Sequence, residues 1–327
     1  MTNDALIAIL IKYYGIHEPV IKFLRHNENR TYKIDDTASG NSYLLRIHQP
    51  VKDNMTGLQH TYHGLLTELE MLENLAAQTD LIVQSPVRNI HGDLLTVIEH
   101  EGRSLNCSVL TWLEGRDLQK EDVSDQNVVT KLGGQIANLH SFFRHYKGVS
   151  PDKRPSQGMD YNHQMLTKIK RGLELGLFAP SDVHIIEETI TLINLRLENI
   201  GKSAHTWGLI HGDLSMGNII VTGQADMSFI DFGFFGSGYY LLDVSMGALM
   251  IPFEHRNHFL EGYYGHQEIT EEEILLLEGF MVVAIIGYYA FQIENETVHP
   301  WMRERMPLLC ANHCIPYLSG ERIFYNL

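Results

Sequence analysis

The pattern of apolar residues changes once along this chain, near Leu113. Before that point, short segments such as VIKFLRH and SYLLRIH alternate apolar and polar residues, which is typical of strands with one buried face. Beyond it, apolar residues recur at helical spacing in most long segments. The sequence therefore predicts an α+β chain, with a small antiparallel β lobe over residues 1–113 and a larger, mainly helical lobe over residues 114–327. A cleft between two such lobes is a common place for a ligand.

The N-terminal part is predicted to combine strands with two helices. Helical spacing predicts a first helix over Asp4–Tyr14, ended by Gly15, and a second over Leu65–Ala77. Between them, turn residues separate three alternating segments, which predicts an antiparallel meander, and further strands are predicted up to Leu113. The helices predicted for the C-terminal part lie near Asp125–His145, Tyr161–Leu175, Asp182–Asn199, Tyr240–Met250 and Glu271–Ile293.

Composition narrows the classes of protein to consider. The 327 residues are 44% hydrophobic, which is enough for a substantial core. Three cysteines do not make a disulfide framework and no secretory signal pattern opens the chain, so we expect a cytoplasmic protein. The longest apolar stretch, Gly279–Ile293, is too short to cross a bilayer and is expected to be a buried helix. A net charge of −15 disfavours nucleic acid or an anionic membrane as a partner and suits a cationic small molecule, although it also serves solubility.

The pentapeptide IHGDL occurs twice, and its two copies have different neighbours. The residues around the copies do not repeat, so the pentapeptide does not mark repeated structural units. The first copy, Ile90–Leu94, lies between two predicted strands, where His-Gly-Asp suits a hairpin turn. The second copy, Ile210–Leu214, is followed by Asn218 and Asp231. We therefore expect the chemistry at the second copy.

Asn218 and Asp231 flank a predicted β-hairpin formed by IIVT and MSFI. Because a hairpin brings its two ends together, an amide oxygen and a carboxylate would lie side by side there. These are hard oxygen ligands that suit Mg²⁺ carrying phosphate. Asp213 precedes Asn218 by one short loop, so it would lie within reach and accept a proton from an attacking hydroxyl.

The motif HGDLSMGN followed by IDFG resembles the protein-kinase set of a catalytic-loop Asp, a metal-binding Asn and a DFG Asp. With HGD in place of HRD, nearly the whole chain is similar to the aminoglycoside phosphotransferase, choline kinase and type II homoserine kinase superfamily. The resemblance implies a bilobal protein-kinase-like fold, with Asp213 as catalytic base and Asn218 and Asp231 as magnesium ligands. It also implies that Asp243 braces the catalytic loop. We expect His211 to be a hydrogen-bonded scaffold residue rather than a proton shuttle.

The resemblance further implies ATP as the phosphoryl donor, with a cation over its phosphates. In protein kinases this cation is a Lys on the third strand, held by a Glu of a helix. This chain has Arg46 at the matching place, a departure that members of the superfamily often share. The expected partner of Arg46 is Glu68, with Glu70 as the alternative on another helix face.

Two further contacts with the nucleotide are predicted, one to its phosphates and one to its adenine ring. The segment HNENRTY stands where a glycine-rich loop would cover the phosphates, and Asn29 is the candidate there for a phosphate contact. Adenine is expected against the connector between the lobes. The candidates are the main-chain atoms of Thr111, Trp112 and Leu113.

The acceptor is expected to be a small molecule with a hydroxyl group. Only FGFFGSGYYLL separates Asp231 from Asp243, which leaves no room for the peptide platform of protein kinases. An aminoglycoside, an amino alcohol or a homoserine-like metabolite would fit this class. An atypical bacterial Ser/Thr protein kinase and a non-catalytic nucleotide-binding protein of the same fold stay open as alternatives. Residues that suit a cationic acceptor, but equally a solvated charge or a core aromatic, are Asp160, Glu254, Glu261, Tyr263, Tyr264 and Trp301.

The segment CANHC near the C-terminus places Cys310, His313 and Cys314 within about one helical turn. These residue types occur in zinc sites, but no second Cys pair accompanies them. We therefore interpret Cys310 and Cys314 as two apolar residues on one buried helix face.

Overall fold

The structure is a computed structural model, and it describes residues 1–26, 29–49, 57–148, 150–223 and 226–327. Two compact units make up the chain, and neither is continuous in sequence. The α+β class is confirmed, whereas the predicted division at residue 113 stays a prediction. The first unit consists of Met1–Asp117, Tyr146–Pro155 and Ile219–Phe234. The second consists of Leu118–His145, Ser156–Asn218 and Phe235–Leu327.

The strands in chain order are β1 (Pro19–His26), β2 (Asn29–Asp36), β3 (Ser42–His48), β4 (Pro86–Val87), β5 (Thr96–His100), β6 (Arg103–Thr111), β7 (Arg116–Asp117), β8 (Ser156–Gln157), β9 (Trp207–Ile210), β10 (Ile219–Val221), β11 (Met227–Phe229) and β12 (Gly236–Tyr239). The helices are α1 (Asn3–Tyr14), α2 (Tyr62–Gln78), α3 (Gln126–His145), α4 (Met159–Glu174), α5 (Pro180–Ile200), α6 (Tyr240–Leu249), α7 (Arg256–Tyr264), α8 (Glu271–Phe291), α9 (His299–Leu309) and α10 (Ile315–Leu318).

The first unit is built on an antiparallel sheet in the order β1-β2-β3-β6-β4, with β5 also paired to β6. The predicted meander of β1, β2 and β3 is confirmed. Of the predicted segment that covers the phosphates, Asn27 and Glu28 lie outside the described residues. Leu6 and Leu10 of α1 pack into the core of this sheet. Full burial of one such side chain stabilises a fold by about 1.5–3 kcal/mol.

The first IHGDL copy forms a turn but not a hairpin. The strands on either side of it, β4 and β5, both pair with β6 and not with each other. The Oδ1 atom of Asn89 accepts the N–H groups of His91 at 2.9 Å and Asp93 at 3.0 Å, and Gly92 has a φ of 89°. The predicted hairpin is therefore wrong: β4 and β5 are both antiparallel to β6 and run in the same direction, and turn residues alone do not specify which strands pair.

The hairpin of β10 and β11 after the second copy is confirmed. Its register pairs Ile219 with Phe229, and β7 pairs with the other edge of β10. Asn218 directly precedes this hairpin, and Asp231 is the second residue after it. The backbone of both residues is therefore attached to the ends of this hairpin.

The second unit is mainly helical. The predicted helices α3, α4, α5, α6 and α8 are confirmed, with bounds that differ by a few residues. The helices α7, α9 and α10 were not predicted; α9 contains Pro307 and runs into the π-helical turn Cys310–Cys314. A small sheet in the order β8-β12-β9 accompanies the helices, and β9 leads into the second IHGDL copy.

The apolar helix α8 belongs to the interior of the second unit. It is long and apolar enough to cross a membrane by length and composition, yet 61% of its most apolar window is buried. A helix that is apolar all round is typical of a core position. The hydroxyl of Thr270 accepts the N–H of Glu273, and the Glu273 carboxylate accepts the N–H of Thr270, which caps the start of the helix. The predicted burial is confirmed, whereas the expectation that this apolar segment is too short to cross a bilayer is wrong, because α8 has 21 residues.

The helices α3 and α7 approach each other at two glycines. A Cβ atom on Gly133 would overlap the carbonyl oxygen of Phe259, and one on Gly262 would overlap that of Thr130. The two backbones are therefore in direct contact, with no side chain between them. Because α3 carries His140 and α7 carries Tyr263, this contact sets the distance between two side chains that support the candidate active site.

We expect Gly133→Ala to lower the free energy of unfolding by about 1–3 kcal/mol, because an added methyl group would force the two backbones apart. The matched control is Gly134→Ala, whose Cβ would lie 3.6 Å from the Gly262 carbonyl oxygen, an ordinary contact. Urea unfolding of both variants measures the difference. Equal stability of the two variants would contradict the close approach of α3 and α7.

Candidate active site

Asp243, in the first turn of α6, holds the backbone of the loop that leads to Asp213. Its side chain is fully buried. One oxygen accepts the N–H of His211 at 2.7 Å, and the other accepts the N–H of Gly212 at 2.8 Å. Gly212 has a φ of 76°, a left-handed conformation that favours glycine. Hydrogen bonds to a charged group contribute about 1.5–3 kcal/mol each, so the backbone just before Asp213 is firmly fixed.

His140 and Tyr263 extend this network. His140 is fully buried, with Nε2 2.9 Å from Asp243 Oδ2 and Nδ1 2.8 Å from the Tyr263 hydroxyl. Burial alone would raise the pKa of Asp243, but the hydrogen bonds from His140 and Gly212 hold that pKa below its ordinary value. Because a carboxylate only accepts, Nε2 of His140 donates to Asp243. Burial raises the pKa of Tyr263, so its hydroxyl stays protonated and keeps its hydrogen bond with Nδ1 of His140.

Asn218 orients Asp213. The Nδ2 atom of Asn218 donates to the Asp213 carbonyl at 2.8 Å and to Asp213 Oδ2 at 2.9 Å. The N–H of Asp213 donates to His211 Nδ1 at 3.3 Å, which gives His211 a scaffold contact. Within the described part of the chain, no donor bonds Asn218 Oδ1. The amide oxygen Oδ1 of Asn218 is therefore available to a cation, and an amide oxygen is a ligand that suits a hard divalent metal ion.

Asp231 stands in a strained backbone conformation. Its φ is 60°, which is rare for a residue other than glycine and is found most often at functional sites. Arg25 of β1 donates to its Oδ2 through Nη2 at 2.7 Å, and the two side chains are 50% and 35% exposed. The carboxylate thus already holds one cationic group, at a position open to water. Sequence reasoning missed Arg25.

Arg46 is paired with Glu68 and not with the exposed Glu70. The distance from Arg46 Nη1 to Glu68 Oε1 is 2.7 Å, and Nε of Arg46 donates to Ser108 at 3.2 Å. Burial would raise the pKa of Glu68, but Arg46 and Arg154 hold it below its ordinary value. The Nη2 atom of Arg46 is buried and has no hydrogen-bond partner among the residues that the structure describes. A buried donor left without a partner is costly, so this atom fits a phosphate oxygen.

The other predicted nucleotide contacts have partners of their own. Asn29 opens β2, and its Oδ1 lies 3.1 Å from Nδ1 of the buried His48. At the connector, the N–H of Thr111 donates to Ser85 and the N–H of Trp112 donates to Ser42. The carbonyl of Thr111 accepts from Nε2 of Gln84 at 3.3 Å. For adenine this leaves the N–H of Leu113, which bonds no other described residue.

The residues considered for a cationic acceptor lie on several elements of the second unit. Three acids among them are exposed, and one of these, Glu261, lies 3.2 Å from His258. Trp301 packs against Tyr289 with ring centroids 5.1 Å apart. Their positions are those of ordinary surface charges and packed aromatic rings, so none of these residues is singled out as a contact of the acceptor. The acids are Asp160, Glu254 and Glu261.

The C-terminal cysteines fit the apolar interpretation. Cys310 and Cys314 are both buried, and they are the first and last residues of the π-helical turn. Across the described ranges, no group of three or more His, Cys, Asp or Glu side chains is arranged to hold a metal ion.

The hydrogen bond of Asn218 to Asp213 and the buried ion pair of Arg46 with Glu68 are consistent with a kinase-like phosphotransferase. The model of the APH phosphotransferase enzyme family matches residues 20–277, which is most of the chain. The chain belongs to this family. The predicted enzyme class, a phosphotransferase that acts on an alcohol group of a small molecule, is thereby confirmed.

Individual relatives agree with this assignment. The amicoumacin kinase of Bacillus subtilis (strain 168) is 25% identical over 297 residues, which cover 85% of this chain and 81% of that kinase. The solved structure of a microcompartment-associated aminopropanol kinase has a TM-score of 0.79 at 20% identity and 98% coverage of both chains. An amicoumacin kinase solved with AMP-PNP and Ca²⁺ has a TM-score of 0.74 at 18% identity, covering 99% of this chain and 95% of that one. The predicted kinase-like fold is confirmed, and ATP with a divalent cation is confirmed at the level of the family.

We expect Tyr263→Phe to lower the free energy of unfolding by about 1–2 kcal/mol, because it removes the hydrogen-bond partner of Nδ1 of the buried His140. Tyr264→Phe is the control: its hydroxyl is buried without a hydrogen-bond partner in the described part of the chain, so its loss costs little. Urea unfolding of both variants compares them. A larger loss in the Tyr264 variant would contradict the network drawn around Asp243.

We expect Arg25→Gln to lower the Mg²⁺ concentration that half-saturates AMP-PNP binding by about two- to fivefold, since the ion pair of Arg25 with Asp231 competes with the metal ion. Lys22→Gln on the same strand removes an equal charge that does not pair with Asp231 and serves as the control. Titration of a fluorescent nucleotide with Mg²⁺ gives both values. A higher Mg²⁺ requirement in the Arg25 variant would mean that this arginine assists binding.

Proposed function

We propose that this enzyme transfers the γ-phosphoryl group of ATP to a hydroxyl group of a small, amino-bearing acceptor, such as an amino alcohol, an aminoglycoside or a homoserine-like metabolite. The observation that carries the proposal is the hydrogen-bonded pair of Asp213 and Asn218 on a loop fixed by Asp243. A binding protein has no need of an oriented base. The cytoplasm, where ATP is available, is the proposed location.

Asp213 is proposed to receive the proton of the acceptor hydroxyl as the new bond to phosphorus forms. The Asn218 amide donates to Oδ2 of Asp213 at 2.9 Å and so orients the carboxylate that is proposed to face the acceptor. Asn218 Oδ1 and the Asp231 carboxylate are proposed to hold Mg²⁺, which when bound neutralises charge on the phosphates. Because Arg25 pairs with the same carboxylate, a metal ion held by Asp231 would have to compete with this ion pair.

The nucleotide is proposed to contact the first unit. Arg46, held by Glu68 and Ser108, offers Nη2 to a phosphate oxygen. Its planar, permanently charged group suits this role as well as the usual lysine does. The N–H of Leu113 is proposed to bind the adenine edge, and Asn29 is proposed to lie near the phosphates.

Two observations support a small, amino-bearing acceptor. Between Asp231 and Asp243 the chain forms a short turn, Phe232–Phe234, then β12, and then enters α6 at Tyr240, which leaves no segment for docking a peptide. The net charge of −15 attracts cations. The relatives named for aminopropanol and amicoumacin support the same class of acceptor for this chain.

The experiment is Mg²⁺-dependent ATP consumption across a panel of amino alcohols, aminoglycosides, homoserine, neutral sugars and generic proteins. Stimulation by an amino-bearing small molecule is the expected result. Phosphate transfer to proteins alone would favour a protein kinase, and nucleotide binding without transfer to any compound would favour a non-catalytic protein.

We expect Asp213→Asn to lower turnover by about 10²–10⁴-fold while nucleotide affinity stays nearly unchanged, because the base acts on the acceptor and not on ATP. Asp93→Asn is a matched control, since Asp93 occupies the same place in the first IHGDL copy. Steady-state turnover and AMP-PNP binding measure the two effects. Wild-type turnover in the Asp213 variant would remove this residue from the proposed mechanism.

A further inference from the structure

Arg154 is an arginine in the interior of the first unit. It lies in the segment Tyr146–Pro155, and its side chain is only 1% exposed. An arginine is rarely buried unless acceptors satisfy its N–H groups. Here Nη1 donates to the carbonyl of Gly64 at 3.1 Å, and Nη2 donates to the carbonyls of Phe232 at 2.8 Å and Gly233 at 2.7 Å.

These acceptors belong to two elements that the proposed mechanism uses. Gly64 is in the first turn of α2, the helix that carries Glu68. Phe232 and Gly233 directly follow Asp231. One guanidinium group therefore bonds the backbone of the helix and the backbone of the turn at the same time.

The same guanidinium also shares Glu68 with Arg46. Nη1 of Arg154 lies 3.8 Å from Glu68 Oε2, while Glu68 Oε1 pairs with Arg46 at 2.7 Å. Burial lowers the pKa of Arg154 to about 10 against the opposing effect of Glu68, so the group is charged at neutral pH. Two positive groups thus depend on one buried carboxylate, and a shift of α2 changes the position of both.

We infer that Arg154 is a positioning residue that couples the turn after Asp231 to the helix that holds Arg46. The inference rests on the proposed function, in which Asp231 holds the metal ion and Arg46 holds a phosphate. Neither element can move alone without breaking a charge-assisted hydrogen bond to Arg154. Metal binding at Asp231 therefore favours the position of Arg46 that suits the phosphate, and nucleotide binding at Arg46 favours metal binding by the same factor.

The experiment measures the dissociation constant of AMP-PNP with and without Mg²⁺, whose ratio is the coupling factor. In Arg154→Met the apolar stem stays and all the N–H donors are lost. We expect the ratio to fall by about two- to thirtyfold. Part of the wild-type ratio should remain, since Mg²⁺ also contacts the phosphates directly.

Arg256→Met is the matched control. Arg256 is also buried, at 3% exposure, and donates to backbone carbonyls, including Ala248 at 3.0 Å and Ile251 at 3.2 Å, but it belongs to the second unit. Its loss should lower the melting temperature and leave the ratio unchanged. Arg154→Lys keeps a positive charge beside Glu68 but replaces the planar fork by a single ammonium group, so an intermediate ratio is expected.

A wild-type ratio in a folded Arg154→Met or Arg154→Lys variant would overturn the inference. If neither variant folds, hydrogen exchange of the wild-type protein decides. AMP-PNP added without metal should slow amide exchange in residues 231–234 as well as in α2, and protection confined to α2 would overturn the coupling. A wild-type protein that binds no nucleotide would instead contradict the proposed function, so the two failures are distinguishable.

Discussion

The second unit is organised around one buried charge, the carboxylate of Asp243. In a medium of low polarity an ionised carboxylate persists only when hydrogen-bond donors surround it. For Asp243 these donors are the backbone N–H groups of His211 and Gly212 and the side chain of His140. Removing any one donor would leave charge that is not compensated. The requirement therefore fixes more than Asp243: it fixes the loop backbone before Asp213, the position of α3, and through Tyr263 the position of α7.

The first unit also contains a buried carboxylate, but its partners are arginine side chains. Glu68 is a buried carboxylate that accepts a hydrogen bond from the side chain of Arg46, with the charge of Arg154 3.8 Å away. A guanidinium group has donors in a plane, so those that do not face Glu68 reach other partners. For Arg154 these partners are backbone carbonyls; for Arg46, Nη2 is left for a ligand. Each unit thus has a buried carboxylate, Asp243 or Glu68, that fixes the positions of the groups paired with it.

Local sequence patterns predicted what depends on local structure. The hairpin of β10 and β11 is set within a short stretch of chain, so periodicity and turn residues were sufficient to predict it. The roles of Asp213, Asn218 and Asp231 were inferred with the help of the resemblance to the kinase motif, and they stay predictions. Partners far apart in the chain left no such signal: His140 and Asp243 are 103 residues apart, and Arg25 and Asp231 are 206 apart. The same limit explains the wrong hairpin at Ile90–Leu94, where the partner strand β6 comes later in the chain.

The discontinuity of the two units bears on how the chain emerges from a ribosome. The first unit includes Ile219–Phe234, so its last hairpin is synthesised only after the helices α3, α4 and α5 are complete. Until then β10 is absent, β7 has no partner strand, and Arg154 has no acceptor at Phe232. Domains whose residues are contiguous fold as they are made, from the N-terminus onward. Here the six-stranded sheet is complete once Thr111 is made, but the hairpin of β10 and β11 and the acceptors at Phe232 and Gly233 come later, so a chain truncated before residue 219 lacks part of the first unit.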